Sequence, residues 1–238
     1  MEKQRLDRFI SNQLNIPRSE AKVAIRRGKT SVSGVTVRDP SLIIDVHTAQ
    51  VEFCGEAVSY KKNIYIIMNK PAGVLSASSD KKRETVVDLV PENLKRADLF
   101  PVGRLDKDTT GLLLITDDGE FAHNCISPKR GIPKVYEAEL DGEITAEMPD
   151  EFLKGVTLAD GTPCKSAKLE RIGENTARIT ITEGKYHQIK RMFGVFDLGV
   201  NKLHRISVGD LVLPVTLKEG ECEEIPLEEL KNLLKKAF

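Results

Sequence analysis

The strand-length segments of this sequence, which have few helical segments between them, constrain its fold most. Polar and apolar side chains alternate along Lys134–Leu140 and along Ala177–Ile181. Tyr65–Met68 and Leu112–Ile115 are continuous apolar runs with the length of a buried strand. This pattern predicts an α+β fold built on a mixed, largely antiparallel β-sheet rather than a doubly wound one.

Helical periodicity marks fewer segments. Glu120–Ile126 follows a strong turn signal, and Leu227–Leu234 is amphipathic. Tyr186–Phe196 also has helical spacing, and we predict a buried apolar stripe on that helix. Its members are Tyr186, Ile189, Phe193 and Phe196.

The N-terminal segment has the pattern of a small separate domain. Leu6–Leu14 carries an apolar stripe at helical spacing, and Ser19 is a suitable N-cap for a second short helix. The Ser33-Gly34 pair predicts a β-hairpin. We therefore predict a small domain over residues 1–57 and a larger one over residues 58–238.

Positive charge is concentrated in the N-terminal segment, although the chain has 36 basic and 36 acidic residues in all. Between Met1 and Arg38 there are nine basic and three acidic residues. A basic surface attracts anionic polymers whatever the net charge of the chain, although a solvated helix face has the same composition. The candidate residues of this segment for binding such a polymer are Arg5, Arg18, Lys22, Arg26 and Arg27.

The cysteines and the hydropathy pattern favour a cytoplasmic protein. Cys54, Cys125, Cys164 and Cys222 are far apart and form no Cys-x-x-Cys pair, so we expect buried free thiols rather than a zinc site or disulfides. The N-terminus lacks the apolar region of a signal peptide, and no apolar run is long enough to span a bilayer. No P-loop, G-x-G-x-x-G or H-E-x-x-H motif occurs, so we expect no cofactor and no metal ion.

The segment Gly103–Gly111 carries the strongest candidate for chemistry. It places Asp106 between Arg104 and the hydroxyl-rich Asp108-Thr109-Thr110, directly before an apolar strand. A carboxylate beside a cation stays ionised in a cleft and can attack an electrophilic carbon. The alternative is an aspartate that only caps a turn.

Two further groups of side chains are candidates for the same site. In Gly184–Phe193, His187, Lys190 and Arg191 are spaced i, i+3 and i+4, so a helix would present them on one face, where they would either meet Asp106 and phosphates or remain solvated. Tyr136 offers an aromatic face for stacking and a hydroxyl, or is an ordinary strand tyrosine. Leu203 by itself has the character of a core residue.

These motifs resemble those of RNA pseudouridine synthases, and especially of the branch that acts on small-subunit ribosomal RNA. The match is nearly letter for letter in Gly103–Gly111, and it includes Lys134-Val135-Tyr136 and Gly184–Phe193. The N-terminal segment resembles the αL RNA-binding domain named after the fourth small-subunit ribosomal protein. The resemblance extends over essentially the whole chain and makes the expected fold an αL-type domain followed by a synthase domain.

The resemblance also implies residue roles. It makes Asp106 the nucleophile, gives Arg104 a part in base flipping, and has Tyr136 stack on the base and help to remove the C5 proton. Leu203 would pack under Tyr136 and the base, while Lys190, or alternatively Arg191, would form an ion pair with Asp106. The sequence leaves glycosyl-ester, base-adduct and glycal routes open.

The expected activity is the isomerisation of one uridine to pseudouridine in small-subunit (16S) ribosomal RNA, by a monomer without a cofactor. The alternatives are a large-subunit enzyme of the sister branch, which usually carries an Arg-rich second motif, and a non-catalytic ribosome-assembly factor. A third alternative is a hydrolase that uses Asp106 together with Asp108. Such an enzyme would need the second carboxylate as a general acid or base.

Overall fold

The computed structural model describes residues 2–235 and divides the chain into two compact units. The first unit consists of the chain up to Ile64 together with Pro91–Leu99. The second consists of Tyr65–Val90 and the chain from Phe100 onward. Met1 and residues 236–238 lie outside the description, and no helix within the described residues is long and apolar enough to cross a membrane.

Two helices pack on small antiparallel sheets in the first unit. Strand β2 pairs with β3 and β5, β5 pairs with β6, and β1 pairs with β4. The buried side chains of α1 and α2 form the core with those of the strands. The elements are β1 (Lys3–Arg5), α1 (Leu6–Leu14), α2 (Arg18–Arg26), β2 (Thr30–Val32), β3 (Val35–Val37), β4 (Ile43–Asp45), β5 (Val51–Phe53) and β6 (Glu56–Val58).

The predicted elements of this unit are present, with two corrections. The β2–β3 hairpin turns at Ser33 and Gly34, which both have positive φ, as the sequence pattern indicates. Ser19 is not an N-cap, because α2 already begins at Arg18 after Pro17. The predicted domain boundary between residues 57 and 58 falls inside β6, which is paired with β5, and the unit continues to Ile64.

The segment Pro91–Leu99 belongs to the first unit although it is distant in sequence. The Arg96 guanidinium donates hydrogen bonds to the Lys61 carbonyl at 3.0 Å and to Gln13 Oε1 at 3.2 Å. No local pattern in the sequence indicated this attachment, because it depends on contacts between distant segments.

A buried carboxylate organises three of the predicted RNA-binding side chains. Asp7, in the first turn of α1, is fully buried and accepts hydrogen bonds from Arg5 at 3.1 Å and Arg18 at 3.0 Å. Lys22 Nζ lies 3.9 Å from its Oδ2. Arg26 and Arg27 are exposed at the end of α2. The N-terminal charges are therefore partly committed to folding this unit.

We expect Asp7→Asn to destabilise the first unit by roughly 2–3 kcal/mol, because it removes the anion that three cations share. Burial raises the pKa of Asp7, but the hydrogen bonds from Arg5 and Arg18 outweigh burial and lower it from 3.8 to about 2. Since the folded pKa is depressed, the stabilisation is complete above about pH 4 and disappears as the pH falls through about 2.

Urea unfolding of the full chain at several pH values, with hydrogen exchange to locate the effect, measures this difference. Glu20→Gln is the matched control, since Glu20 is an exposed acid on α2. An Asp7→Asn protein as stable as the control at pH 7 would contradict the prediction.

The second unit is built on one large sheet. Within the described residues it has nine strands, in the order β11-β12-β10-β13-β9-β7-β15, with β8 on β9 and β14 on β13. Only the β13–β9 pair among these described strands is parallel, which confirms the predicted mixed, largely antiparallel α+β fold. The elements are β7 (Tyr65–Lys70), β8 (Phe100–Pro101), β9 (Thr110–Thr116), α3 (Gly119–Ile126), β10 (Lys134–Leu140), α4 (Met148–Lys154), β11 (Lys168–Arg171), β12 (Thr176–Ile181), α5 (Gln188–Gly194), β13 (Val200–Val208), β14 (Leu211–Val212), β15 (Cys222–Glu224) and α6 (Leu227–Leu233).

The alternation in β10 decides which side chains enter the interior. Tyr136, Ala138 and Leu140 are buried, as the period of two predicts. On β7 and β9, apolar residues pack under α3 and α6. Among the cysteines, Cys125 and Cys164 are buried as expected, whereas Cys54 is exposed and Cys222 is only half-buried. Cys54 lies at a tight turn after β5 with φ 54°, where its side chain cannot reach a core.

Candidate active site

One pocket of the second unit contains most of the side chains predicted for the site. They come from four parts of the chain: the loop before β9, the middle of β10, the loop and helix at α5, and β13. The predicted residues that line the pocket are Arg104, Asp106, Tyr136, His187, Lys190 and Leu203. Arg191 lies outside this lining.

A buried lysine holds the loop that carries Asp106. Lys70, at the end of β7, is fully buried, and its ammonium donates to the carbonyls of Lys107 at 3.1 Å and Thr109 at 2.9 Å, besides that of Pro71. Burial lowers the pKa of Lys70 to about 8. Lys70 belongs to none of the predicted motifs, although a lysine at the end of an apolar strand is an unusual residue to bury. Its hydrogen bonds fix the backbone on either side of Asp108.

Ser76 supports the same loop from its other end. Its hydroxyl donates to the Leu105 carbonyl at 3.0 Å and accepts from the Leu105 amide at 3.1 Å. The Thr109 amide closes a turn on the Asp106 carbonyl at 3.1 Å. The Asp106 side chain is thus carried by a loop with a defined backbone, and about a quarter of it (28%) remains exposed to the pocket.

His187 is the basic side chain closest to the Asp106 carboxylate among the described ion pairs. Its Nε2 lies 3.5 Å from Asp106 Oδ1, so the two form an ion pair when the imidazole is protonated. His187 does not belong to the helix as predicted, because α5 begins at Gln188 and His187 precedes it with a left-handed backbone (φ 48°). It therefore does not share a helix face with Lys190 and Arg191.

The predicted ion pair between Asp106 and Lys190 or Arg191 is not formed in this structure. Lys190 pairs with Asp108, and this contact lowers the pKa of the Asp108 carboxyl. Arg191 pairs with Asp160. Successive residues of a helix point about 100° apart, so Lys190 and Arg191 reach different loops. Lys190 faces the pocket, but its ammonium pairs with Asp108 instead of Asp106.

Tyr136 and Leu203 form the aromatic and apolar wall of the pocket. They lie on adjacent strands, β10 and β13, and both are largely buried. The Asp106 carboxylate lines the same pocket. A carboxylate beside an aromatic and apolar wall can act as a nucleophile on a carbon atom attached to a planar ring that stacks there.

Arg205, which was not among the predicted site residues, lies behind Tyr136. It is 4% exposed, its Nε donates to the Leu112 carbonyl at 2.7 Å, and its Nη1 lies 3.4 Å from the Tyr136 hydroxyl. Among the described residues no carboxylate pairs with this guanidinium. The signal was available, because Leu203 and Arg205 are two residues apart on one strand and therefore share a face. Arg205 contributes a buried positive charge next to the tyrosine hydroxyl.

The comparisons with known proteins agree with this geometry. Residues 64–194 match the family model of RNA pseudouridylate synthase, and residues 4–48 match the S4 domain. An uncharacterized RNA pseudouridine synthase of Bacillus subtilis (strain 168) is 41% identical over 233 residues, covering 96% of this chain and 98% of the relative.

Two further relatives have a more specific description. The ribosomal small subunit pseudouridine synthase A of Pseudomonas aeruginosa is 39% identical, covering 95% of this chain and 98% of the relative. The protein of the same description in Escherichia coli (strain K12) is 35% identical, covering 97% and 100%. The crystal structure of a pseudouridylate synthase matches with a TM-score of 0.68 and 35% identity, covering 96% of this chain and 99% of that one.

The family resemblance predicted from the motifs is thereby confirmed along both units. The S4 match lies in the first unit, and most of the synthase match lies in the second. The chain belongs to the RNA pseudouridylate synthase family and is an enzyme with an S4 domain before its synthase domain.

Proposed function

We propose that this enzyme converts one uridine of small-subunit (16S) ribosomal RNA into pseudouridine, with Asp106 as its nucleophile. The observation that carries the proposal is the convergence of Asp106, Tyr136 and Leu203 on one pocket from three separate parts of the chain. A carboxylate, an aromatic ring and an apolar wall are what a uracil base and its C1′ carbon require.

The reaction begins with RNA binding. Basic side chains of the S4 domain and of the pocket attract phosphates, and the target uridine leaves its stack to enter the pocket. Arg104, which is exposed and lines the pocket, is suited to take the place of the uridine or to hold its phosphate. Of the predicted S4 residues, Arg26 and Arg27 are the more available, because Arg5, Arg18 and Lys22 also hold Asp7.

The chemistry then breaks the N1–C1′ bond and forms a C5–C1′ bond. Asp106 attacks C1′, adds to the base, or assists a glycal route, and each role uses its exposed carboxylate. After the base has rotated and C5 has joined C1′, the C5–H electron pair restores the C5=C6 double bond and N1 takes up a proton. Tyr136 relays the C5 proton, and the sum of these steps is an isomerisation without a cofactor.

The choice of small-subunit RNA rests on the named relatives and on the Tyr186-His187-Gln188 string of the second motif. The sister branch usually has an Arg-rich string there. We propose a monomer that acts in the cytoplasm, where ribosomal RNA and free thiols are both found.

Pseudouridine mapping in ribosomal RNA tests the proposal. RNA of both subunits from cells that lack this protein is labelled with carbodiimide, before and after incubation with the enzyme, and read by primer extension. Naked RNA and assembling particles are both used. We expect one restored site in small-subunit RNA.

If a site is restored only in large-subunit RNA, the proposed reaction is supported and the proposed substrate is rejected. No change in either RNA, naked or in particles, would favour a non-catalytic assembly factor and reject the proposed activity.

A further inference from the structure

Tyr186 has a position that neither the predicted helix nor the proposed chemistry explains. It was expected in the buried stripe of the second motif, but α5 begins only at Gln188 and Tyr186 is 75% exposed. Ile189 and Phe193 of the same stripe are buried. A large aromatic side chain that the core does not use is thus held at the surface, two residues before a helix that lines the pocket.

The Tyr186 ring is nevertheless ordered by its neighbours. It stacks on the His187 ring with a centroid distance of 3.8 Å and an interplanar angle of 18°. The left-handed backbone of His187 accompanies this stacking of two consecutive side chains. The Tyr186 carbonyl oxygen also accepts a hydrogen bond from Arg191 Nη1 at 3.4 Å. One face of the tyrosine ring is covered by histidine, and its high exposure leaves the other face open.

The stack is continuous with the active site. His187 lines the pocket and lies 3.5 Å from Asp106, whereas Tyr186 lies outside the pocket lining. Two aromatic rings therefore lead from the nucleophile to the rim, with a spacing close to that of stacked nucleic-acid bases. When a uridine leaves its stack, its neighbours lose a stacking partner, and an exposed ring can replace it.

We propose that Tyr186 and His187 form a stacking platform for an RNA base that flanks the target uridine. This inference rests on the proposed function and adds a second base-binding position to the site. The charges near the platform favour RNA, because Lys185 and Lys190 line the adjacent pocket and Arg191 contacts the platform backbone. An aromatic ring stacks on any base, so the platform contributes to RNA affinity and to the positioning of the RNA. It does not contribute to the choice between bases.

Two variants separate the ring from its hydroxyl. Tyr186→Phe keeps the stacking face, and Tyr186→Leu removes it while retaining an apolar side chain. We expect Tyr186→Leu to raise the KM for RNA by roughly 10-fold, with a much smaller change in kcat, since the platform binds a base that does not react. Tyr186→Phe should resemble the unaltered enzyme, and the thermal unfolding temperature of both variants should be unchanged.

The contact itself is measured with 2-aminopurine. RNA fragments spanning the uridine mapped in the ribosomal RNA experiment carry this fluorescent base directly 5′ or directly 3′ of the target. With the unaltered enzyme and with Tyr186→Phe, one of the two positions should be quenched by stacking. The same position should be brighter in the complex with Tyr186→Leu.

The outcomes separate this inference from the proposed function. If the unaltered enzyme modifies no RNA, both fail. If it modifies RNA but Tyr186→Leu matches it in KM and fluorescence, only the platform is rejected. Equal defects in Tyr186→Phe and Tyr186→Leu would assign the effect to the hydroxyl and reject stacking. If Tyr186→Leu raises the KM but changes the fluorescence at neither position, the Tyr186 ring contacts a group other than a flanking base. That result would also reject the platform.

Discussion

Replacing Asp106 with Asn should abolish pseudouridine formation and leave RNA binding nearly intact. The amide keeps the size of the side chain but cannot act as an anionic nucleophile. Loss of an essential group of this kind lowers kcat on the order of 10⁴-fold or more. Single-turnover assays measure the rate, and filter binding with the same RNA measures the affinity.

The neighbouring Asp108 supplies the comparison. It lies on the same loop, but it is largely exposed, is not part of the pocket lining and pairs with Lys190. An exposed ion pair is worth up to about 1 kcal/mol, so Asp108→Asn should slow the reaction by roughly fivefold at most. Turnover retained by the Asp106→Asn variant would refute the assignment of Asp106 as the nucleophile. Equal, complete losses in both variants would favour the alternative in which the two carboxylates act as a pair.

The second large effect is expected from Gly111→Ala, near the start of β9 and directly after the same loop. Gly111 has φ +100°, and an added Cβ would lie 2.3 Å from the carbonyl oxygen of Arg205 and 2.7 Å from its amide nitrogen. These atoms belong to β13, which pairs in parallel with β9 at this position. Backbone atoms within paired strands cannot move aside cheaply, and an L-residue is strained at this φ.

We expect Gly111→Ala to destabilise the second unit by more than about 4 kcal/mol, or to prevent its folding. For a domain of this size, that corresponds to a fall of about 10 °C or more in the unfolding temperature. Gly119→Ala is the matched control, because no atom lies within 4 Å of its added Cβ and its φ is not positive. Circular dichroism of both variants measures the difference. Similar unfolding temperatures would mean that β9 and β13 can separate without cost.

Most of the elements and the loop that carries Asp106 were predictable, because they depend on local patterns. The period of two defined β10 at Lys134–Leu140 and buried the face with Tyr136. The same reasoning identified β7, β9 and the first helix. Asp106 and Tyr136 were identified by motif, and they do line one pocket.

The errors occurred where a side chain had several partners within reach. Lys190 was expected on Asp106 but pairs with Asp108. Spacing along a helix shows which way a cation points and not which of two nearby carboxylates it meets. Tyr186 was assigned to a buried stripe, yet the helix starts after it and the ring is exposed. Helix ends depend on the packing of the surrounding chain as much as on periodicity.

Periodicity and motifs are properties of neighbouring residues, so they were enough to predict the α+β class, the family and the candidate nucleophile. Folding was needed to bring Lys70 to the loop that carries Asp106, Arg205 to the back of Tyr136, and three cations to Asp7. These contacts join residues that are distant in sequence or on different elements. Their energies come from burial and from charge pairing in a low-dielectric interior, which exist only once the chain has folded.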